Sequence, residues 1–127
     1  MKNKMKLFLS FVLLFVIAYI SFGAWVAHDT RIILEEATKG NADIKYMNSS
    51  AFKNINPVER GMTADSFKYN KSLHHIGFVF PLHFFFVSRA FVTQEYTNDD
   101  LAFREPVSLS LKLKSGKWFA TKASIKP

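Results

Sequence analysis

Residues 107–125 read VSLSLKLKSGKWFATKASI, and the fold follows from how this stretch is interpreted. Val107, Leu109, Leu111 and Leu113 alternate with Ser108, Ser110, Lys112 and Lys114, the two-residue period of a strand with one buried face. Ser115-Gly116 interrupts, and Lys117-Trp118-Phe119-Ala120-Thr121 returns. A two-residue turn pairs Lys114 with Lys117 and Leu113 with Trp118, so the lysines share one face and the large apolar pair the other. Such a hairpin needs more strands beside it and an apolar cover.

Both lie upstream. Residues 97–106 (TNDDLAFREP) read as a polar connection. Before it, Phe67, Tyr69, Ile76, Phe78 and Phe80 predict a strand ending at Pro81, and residues 82–96 predict one long second strand. In the latter, Phe84, Phe86, Ala90 and Val92 fall on one face, while Phe85, Val87, Arg89 and Phe91 fall on the other. Both faces are apolar near its start, which predicts a central strand covered on both sides there. Further upstream, residues 28–39 (HDTRIILEEATK) form a helix stopped by Gly40-Asn41. Asn48-Ser49-Ser50 caps a second short helix, which Asn56-Pro57 ends, and Gly61 marks the change to strands. The expected class is α+β, about four antiparallel strands packed on helical segments.

Residues 7–27 (LFLSFVLLFVIAYISFGAWVA) carry no charge and are preceded by Lys2, Lys4 and Lys6. At about 1.5 Å per residue the run covers roughly 30 Å, the thickness of a bilayer's hydrocarbon core. It is longer than the apolar core of a signal peptide, about 7–15 residues, and only Ser21 and Gly23 place small residues correctly for cleavage. Length favours an uncleaved anchor; cleavage would make the domain secreted. Tyr19, Phe22 and Trp25 cluster at the distal end, suited to the headgroup layer. The three lysines keep the amino end cytoplasmic, which places residues 1–6 inside, 7–27 in the membrane and 28–127 outside as one small domain.

The outer part is only mildly basic. Three of the 17 basic residues precede the apolar run, leaving 14 against all 10 acidic residues, a formal charge of +4. These are interspersed, which argues against a nucleic-acid-binding face. Cysteine is absent, so the domain folds without disulfides and carries no lipidated cysteine. The abundance of Lys, Asn, Ile and Phe fits an AT-rich bacterial genome. Asn48-Ser49-Ser50 and Asn70-Lys71-Ser72 match the glycosylation acceptor pattern by chance.

With its Leu-alternating strand, Ser-Gly turn and Trp-led return, 107–125 resembles the last hairpin of NTF2-like or cystatin-like domains. That resemblance implies a sheet curled around a helix. Some NTF2-like domains hang from a single N-terminal span in bacterial envelope assemblies, and the layout here is similar. This chain is short for that family and shows no counterpart of its three-helix beginning.

No chemistry-bearing motif stands out. His74 and His75 are adjacent, so a strand would point them to opposite faces; His75 with His83 across a turn is the conceivable pair, yet no metal site is expected. Glu95, Asp99, Asp100 and Glu105 surround one loop that lacks the glycine of a calcium site, and they read as solvated. Ser88 and Ser108 lack a nucleophile elbow. Residues 76–92 as a second span would bury Arg89 in lipid at a cost of about 2.5–3.5 kcal/mol or more, and are read as strand instead.

The expectation is therefore a non-enzymatic, cofactor-free interaction module anchored in the bilayer, binding a protein partner of a bacterial envelope complex and not nucleic acid. The alternative is a small-ligand pocket within a curved sheet, with Phe84, Phe86, Phe91 and Trp118 as walls and Arg89 as the polar contact.

Overall fold

The computed structural model describes residues 2–41, 45–64, 67–99 and 101–125. Its class is α+β, as the pattern implies. One helix, α1 (Lys2–Lys39), runs unbroken for 38 residues. The apolar run and the helix after it are thus one rod of about 57 Å at about 1.5 Å per residue. Gly40 ends it with φ 101°. The Gly40 and Asn41 N–H groups donate to the Ala37 and Glu36 carbonyls at 3.3 and 2.9 Å, a Schellman closure. The short helix α2 (Ser49–Ile55) is capped by Asn48, whose side-chain oxygen accepts from Ala51 N–H at 2.8 Å.

Five strands form one antiparallel sheet: β1 (His74–Ile76), β2 (Phe80–Phe84), β3 (Val87–Thr97), β4 (Ala102–Lys114) and β5 (Lys117–Ile125). β1 and β2 both pair with β3 on the side away from β4, making a single edge strand broken at 77–79. Gly77 permits the break by lying close to the Thr93 carbonyl, to which its N–H donates at 2.9 Å. Pro81 does not end a strand; it lies within this edge strand, where its missing donor matters least.

The long strand expected over 82–96 is instead two strands folded on a turn at Phe85-Phe86, with Phe84 opposite Val87. β3 is central in the sheet but covered on one face only. Ser88, Ala90, Val92, Gln94 and Tyr96 are buried, whereas Val87, Arg89, Phe91, Thr93 and Glu95 are exposed. Much of the expected polar connection is strand as well, since β4 begins at Ala102. Pro106 lies within β4 opposite Thr93 of β3, one residue before the Val107–Ile125 pair, the last described between β4 and β5.

The C-terminal hairpin has the expected register, Lys114 opposite Lys117 and Leu113 opposite Trp118. Ser115 and Gly116 have φ 53° and 78°, the left-handed pair that a tight hairpin turn needs. The core lies between the inner sheet face and the second half of α1, with α2 alongside. Val26, Ile33, Leu34 and Ala37 from α1 meet Ala90, Val92, Leu109, Leu111, Trp118 and Ala120. Two charged side chains, about 200° apart around the helix, tie α1 to opposite sides of the sheet. Asp29 accepts the Trp118 N–H of β5 at 3.0 Å, and Arg31 donates to the Ile76 and Gly77 carbonyls at 2.8 and 3.0 Å.

Candidate functional site

From Lys2 to Ser21 every residue of α1 is exposed, and burial against the sheet begins at Phe22 and Gly23. The helix is long and apolar enough to cross a membrane. Lys2, Lys4 and Lys6 lie on its bare first turns. The three distal rings all touch the sheet: Tyr19 lies 3.9 Å from the His83 ring, and Phe22 and Trp25 each meet Trp118 edge-on at 5.7 Å between centroids.

The five residues expected to line a pocket do not converge. Trp118 is fully buried on the inner face against α1. Phe84 and Phe86 are 66 and 69 % exposed at the β2–β3 tip. Arg89 and Phe91 lie on the outer face, the guanidinium 5.7 Å from the Phe91 ring centre in a cation–π contact. What does gather on that face is a shallow groove. Phe78, Arg89, Phe91, Thr93, Pro106 and Ser108 line it. Phe78 is 80 % exposed beside it. The groove is open along the sheet face and does not enclose a cavity.

The second group of polar residues is internal. Arg60 donates to both carboxylate oxygens of Glu105 at 2.6 and 2.9 Å. The Gln94 amide reaches Glu105 at 3.5 Å, and its oxygen stands 2.9 Å from His74 Nε2; Tyr69 Oη is 2.6 Å from His74 Nδ1. One proton arrangement satisfies the whole chain: Tyr69 donates to Nδ1 of a neutral His74, Nε2–H donates to Gln94, and Gln94 donates to Glu105. Burial pushes His74 below the usual histidine pKa and, aided by the Glu35 charge, raises Tyr69 above the usual phenol value. Both shifts favour the uncharged forms that the chain requires.

Glu105 is therefore not a solvated loop carboxylate. It is buried in β4, while Glu95 is exposed 3.9 Å from Arg104, Asp99 is exposed, and Asp100 lies outside the described residues. His74 and His75 do point to opposite faces, and His83 sits apart against Tyr19 and Phe22. Among the described residues no three His, Asp or Glu side chains gather as a metal site would require. Gln94, expected in a wetter far half of the long strand, and Asp29, expected only as one of the charges that follow the apolar run, are both buried. The parity that buries Ala90 and Val92 also buries Gln94, so that signal was present; nothing local marks Asp29.

No known protein family matches the chain, and neither a curated protein nor a solved structure does.

Proposed function

We propose that the chain is a single-pass membrane protein whose outer domain is a non-enzymatic interaction module serving a bacterial envelope complex. In this reading residues 1–6 are cytoplasmic, 7–27 cross the bilayer and 28–127 lie outside. The observation that carries it is the continuity of α1, apolar from Leu7 and exposed through Ser21, then packed into the domain core from Phe22 onward. A rod shared by span and domain holds the domain at a fixed height and orientation, which suits presenting a surface to a neighbour in the same membrane. Retention of the span is supported by the same packing. Cleavage after Gly23 would cut α1 inside the stretch that rests on the sheet.

The groove around Arg89 and Phe91 is the surface we assign to the partner, since aromatic and arginine side chains dominate binding energy at protein interfaces. A small ligand held in the same groove, with Arg89 as its polar contact, is the alternative. The non-enzymatic part rests on the sequence, which carries no nucleophile or acid–base motif. An NTF2-like or cystatin-like relationship stays within the proposal, supported by a long helix packed on an antiparallel sheet that ends in the Trp-led hairpin.

The test is affinity recovery of the full chain from detergent-solubilised membranes, with wild type and an Arg89→Glu, Phe91→Ala variant. A specific co-purifying membrane protein lost with the variant supports the reading. Recovery of the chain alone counts against it.

A further inference from the structure

The β2–β3 turn carries four consecutive large apolar residues, all of them exposed. Phe84, Phe85, Phe86 and Val87 are 66, 84, 69 and 54 % exposed. Phe85 is held at φ 54°, a left-handed backbone that a bulky side chain adopts only under strain, and two-residue turns ordinarily place glycine or asparagine there. A soluble domain gains nothing from strain that pushes a phenylalanine into water. Strain of this kind points to use.

The position of the turn along α1 says what use. His83 Nε2 donates to the Tyr19 carbonyl at 2.9 Å, and Pro81 rests on Gly23. Beyond them Phe84 and Phe85 share an apolar groove with Phe15, Ala18, Tyr19 and Phe22. The turn therefore lies beside the apolar run, not above it. From Leu7 to Ser21, the exposed part of the run, the helix rises only about 22 Å, short of the roughly 30 Å of a hydrocarbon core. The missing thickness falls at the level where the turn is docked.

Basic residues stand at the same end of the sheet. Lys112 is paired with Val87, and the Leu113 N–H donates to the Phe86 carbonyl at 2.8 Å. This places the Lys114–Lys117 turn next to the phenylalanines. Aromatic rings at the acyl boundary with lysines reaching phosphates is the chemistry of an interfacial lipid contact.

We propose that the Phe84–Val87 turn is a second membrane contact, seated at the boundary of headgroups and acyl chains in the outer leaflet, with Lys112, Lys114 and Lys117 toward the lipid phosphates. It rests on the reading of 7–27 as a span. The domain is then partly sunk in the bilayer beside its own helix, which fixes both its height and its rotation about the span.

The chain has no cysteine, so single spin labels are unambiguous. The full chain is reconstituted in vesicles of phosphatidylcholine and phosphatidylglycerol, labelled separately at Phe11→Cys, Phe85→Cys, Phe86→Cys and Thr97→Cys. Collision with dissolved oxygen is compared with collision with a water-soluble nickel chelate. The expected result is an oxygen-to-nickel ratio at positions 85 and 86 several-fold above that at 97, approaching that at 11. Position 86, which does not share the positive φ of Phe85, guards against a folding defect at 85. Water-like ratios at 85 and 86 with a lipid-like ratio at 11 overturn the proposal and leave the span standing. A water-like ratio at 11 removes the span and the proposal together. Labels at 85 and 86 shielded from both reagents also overturn it, in favour of a protein packed on the turn.

Discussion

Gly23 offers a direct probe of how the sheet is seated on the helix. A Cβ built at this position meets Pro81 Cγ at 3.1 Å and His83 Nε2 at 3.8 Å. Gly23→Ala requires Pro81 to yield by a few tenths of an ångström, and the alanine gains about 1 kcal/mol in helix propensity. The two effects nearly cancel. Gly23→Leu cannot be absorbed this way. Overpacking costs about 1–3 kcal/mol. Displacing β2 also breaks the His83–Tyr19 hydrogen bond, worth about 1 kcal/mol. A destabilisation of about 2–4 kcal/mol is expected for Leu, and within about 1 kcal/mol of wild type for Ala. Urea unfolding of the full chain in mild detergent, followed by the fluorescence of Trp25 and Trp118 at this junction, measures both. Equal midpoints for Gly23→Leu and wild type would refute the docking of β2 on α1.

Other consequences follow from the core and the polar chain. Trp118→Ala should cost about 3–5 kcal/mol in the same unfolding assay. Trp118→Phe should cost much less, because the buried indole N–H it removes has no hydrogen-bond partner among the described residues; equal losses would contradict the packing described. His74 is held neutral by burial, with a folded pKa below 6.5. The stability it supports is complete above the unfolded value and is lost as the pH falls through the lowered folded one, at up to about 1.4 kcal/mol per pH unit. The advantage of wild type over His74→Gln should therefore shrink from about pH 7 to about pH 5, and parallel profiles would refute the assignment. Glu105→Ala strands Arg60 and one Gln94 donor in a buried site and should cost about 3–5 kcal/mol, whereas an effect under about 1 kcal/mol would show the pair to be solvated. Phe85→Gly relieves about 1–2 kcal/mol of left-handed strain, offset in part by the greater freedom of unfolded glycine, so thermal stability should hold or rise. A fall would mean that the ring packs within the domain.

The sequence showed most clearly what depended on local period and turn chemistry. The Leu113–Trp118 register, the Asn48 cap and the Gly40 stop each rest on a few neighbouring residues, and each is found in place. The turn at Phe85-Phe86 was hidden because it uses none of the residues that mark turns, so 82–96 reads as an unbroken strand. Reversing the chain at 85–86 removed Phe84 and Phe86 from the face shared by Ala90 and Val92, and the supposed pocket with them. The buried chain from Arg60 to Tyr69 joins four separate stretches of sequence, and no local pattern announces such a meeting. Asp29 looks like the first acidic residue after a membrane span, yet its carboxylate faces a strand edge 89 residues away.

The claim on which the account depends is that residues 7–27 cross a bilayer and stay attached, with the sheet outside. Lys4→Cys and Thr97→Cys variants of the cysteine-free chain, treated in right-side-out membrane vesicles with an impermeant maleimide, test it most directly. The account predicts full-length chain in the membrane fraction, labelled at 97 in sealed vesicles and at 4 only after permeabilisation. Labelling of position 4 with protection of 97, or recovery of the intact chain in the soluble fraction, would contradict it.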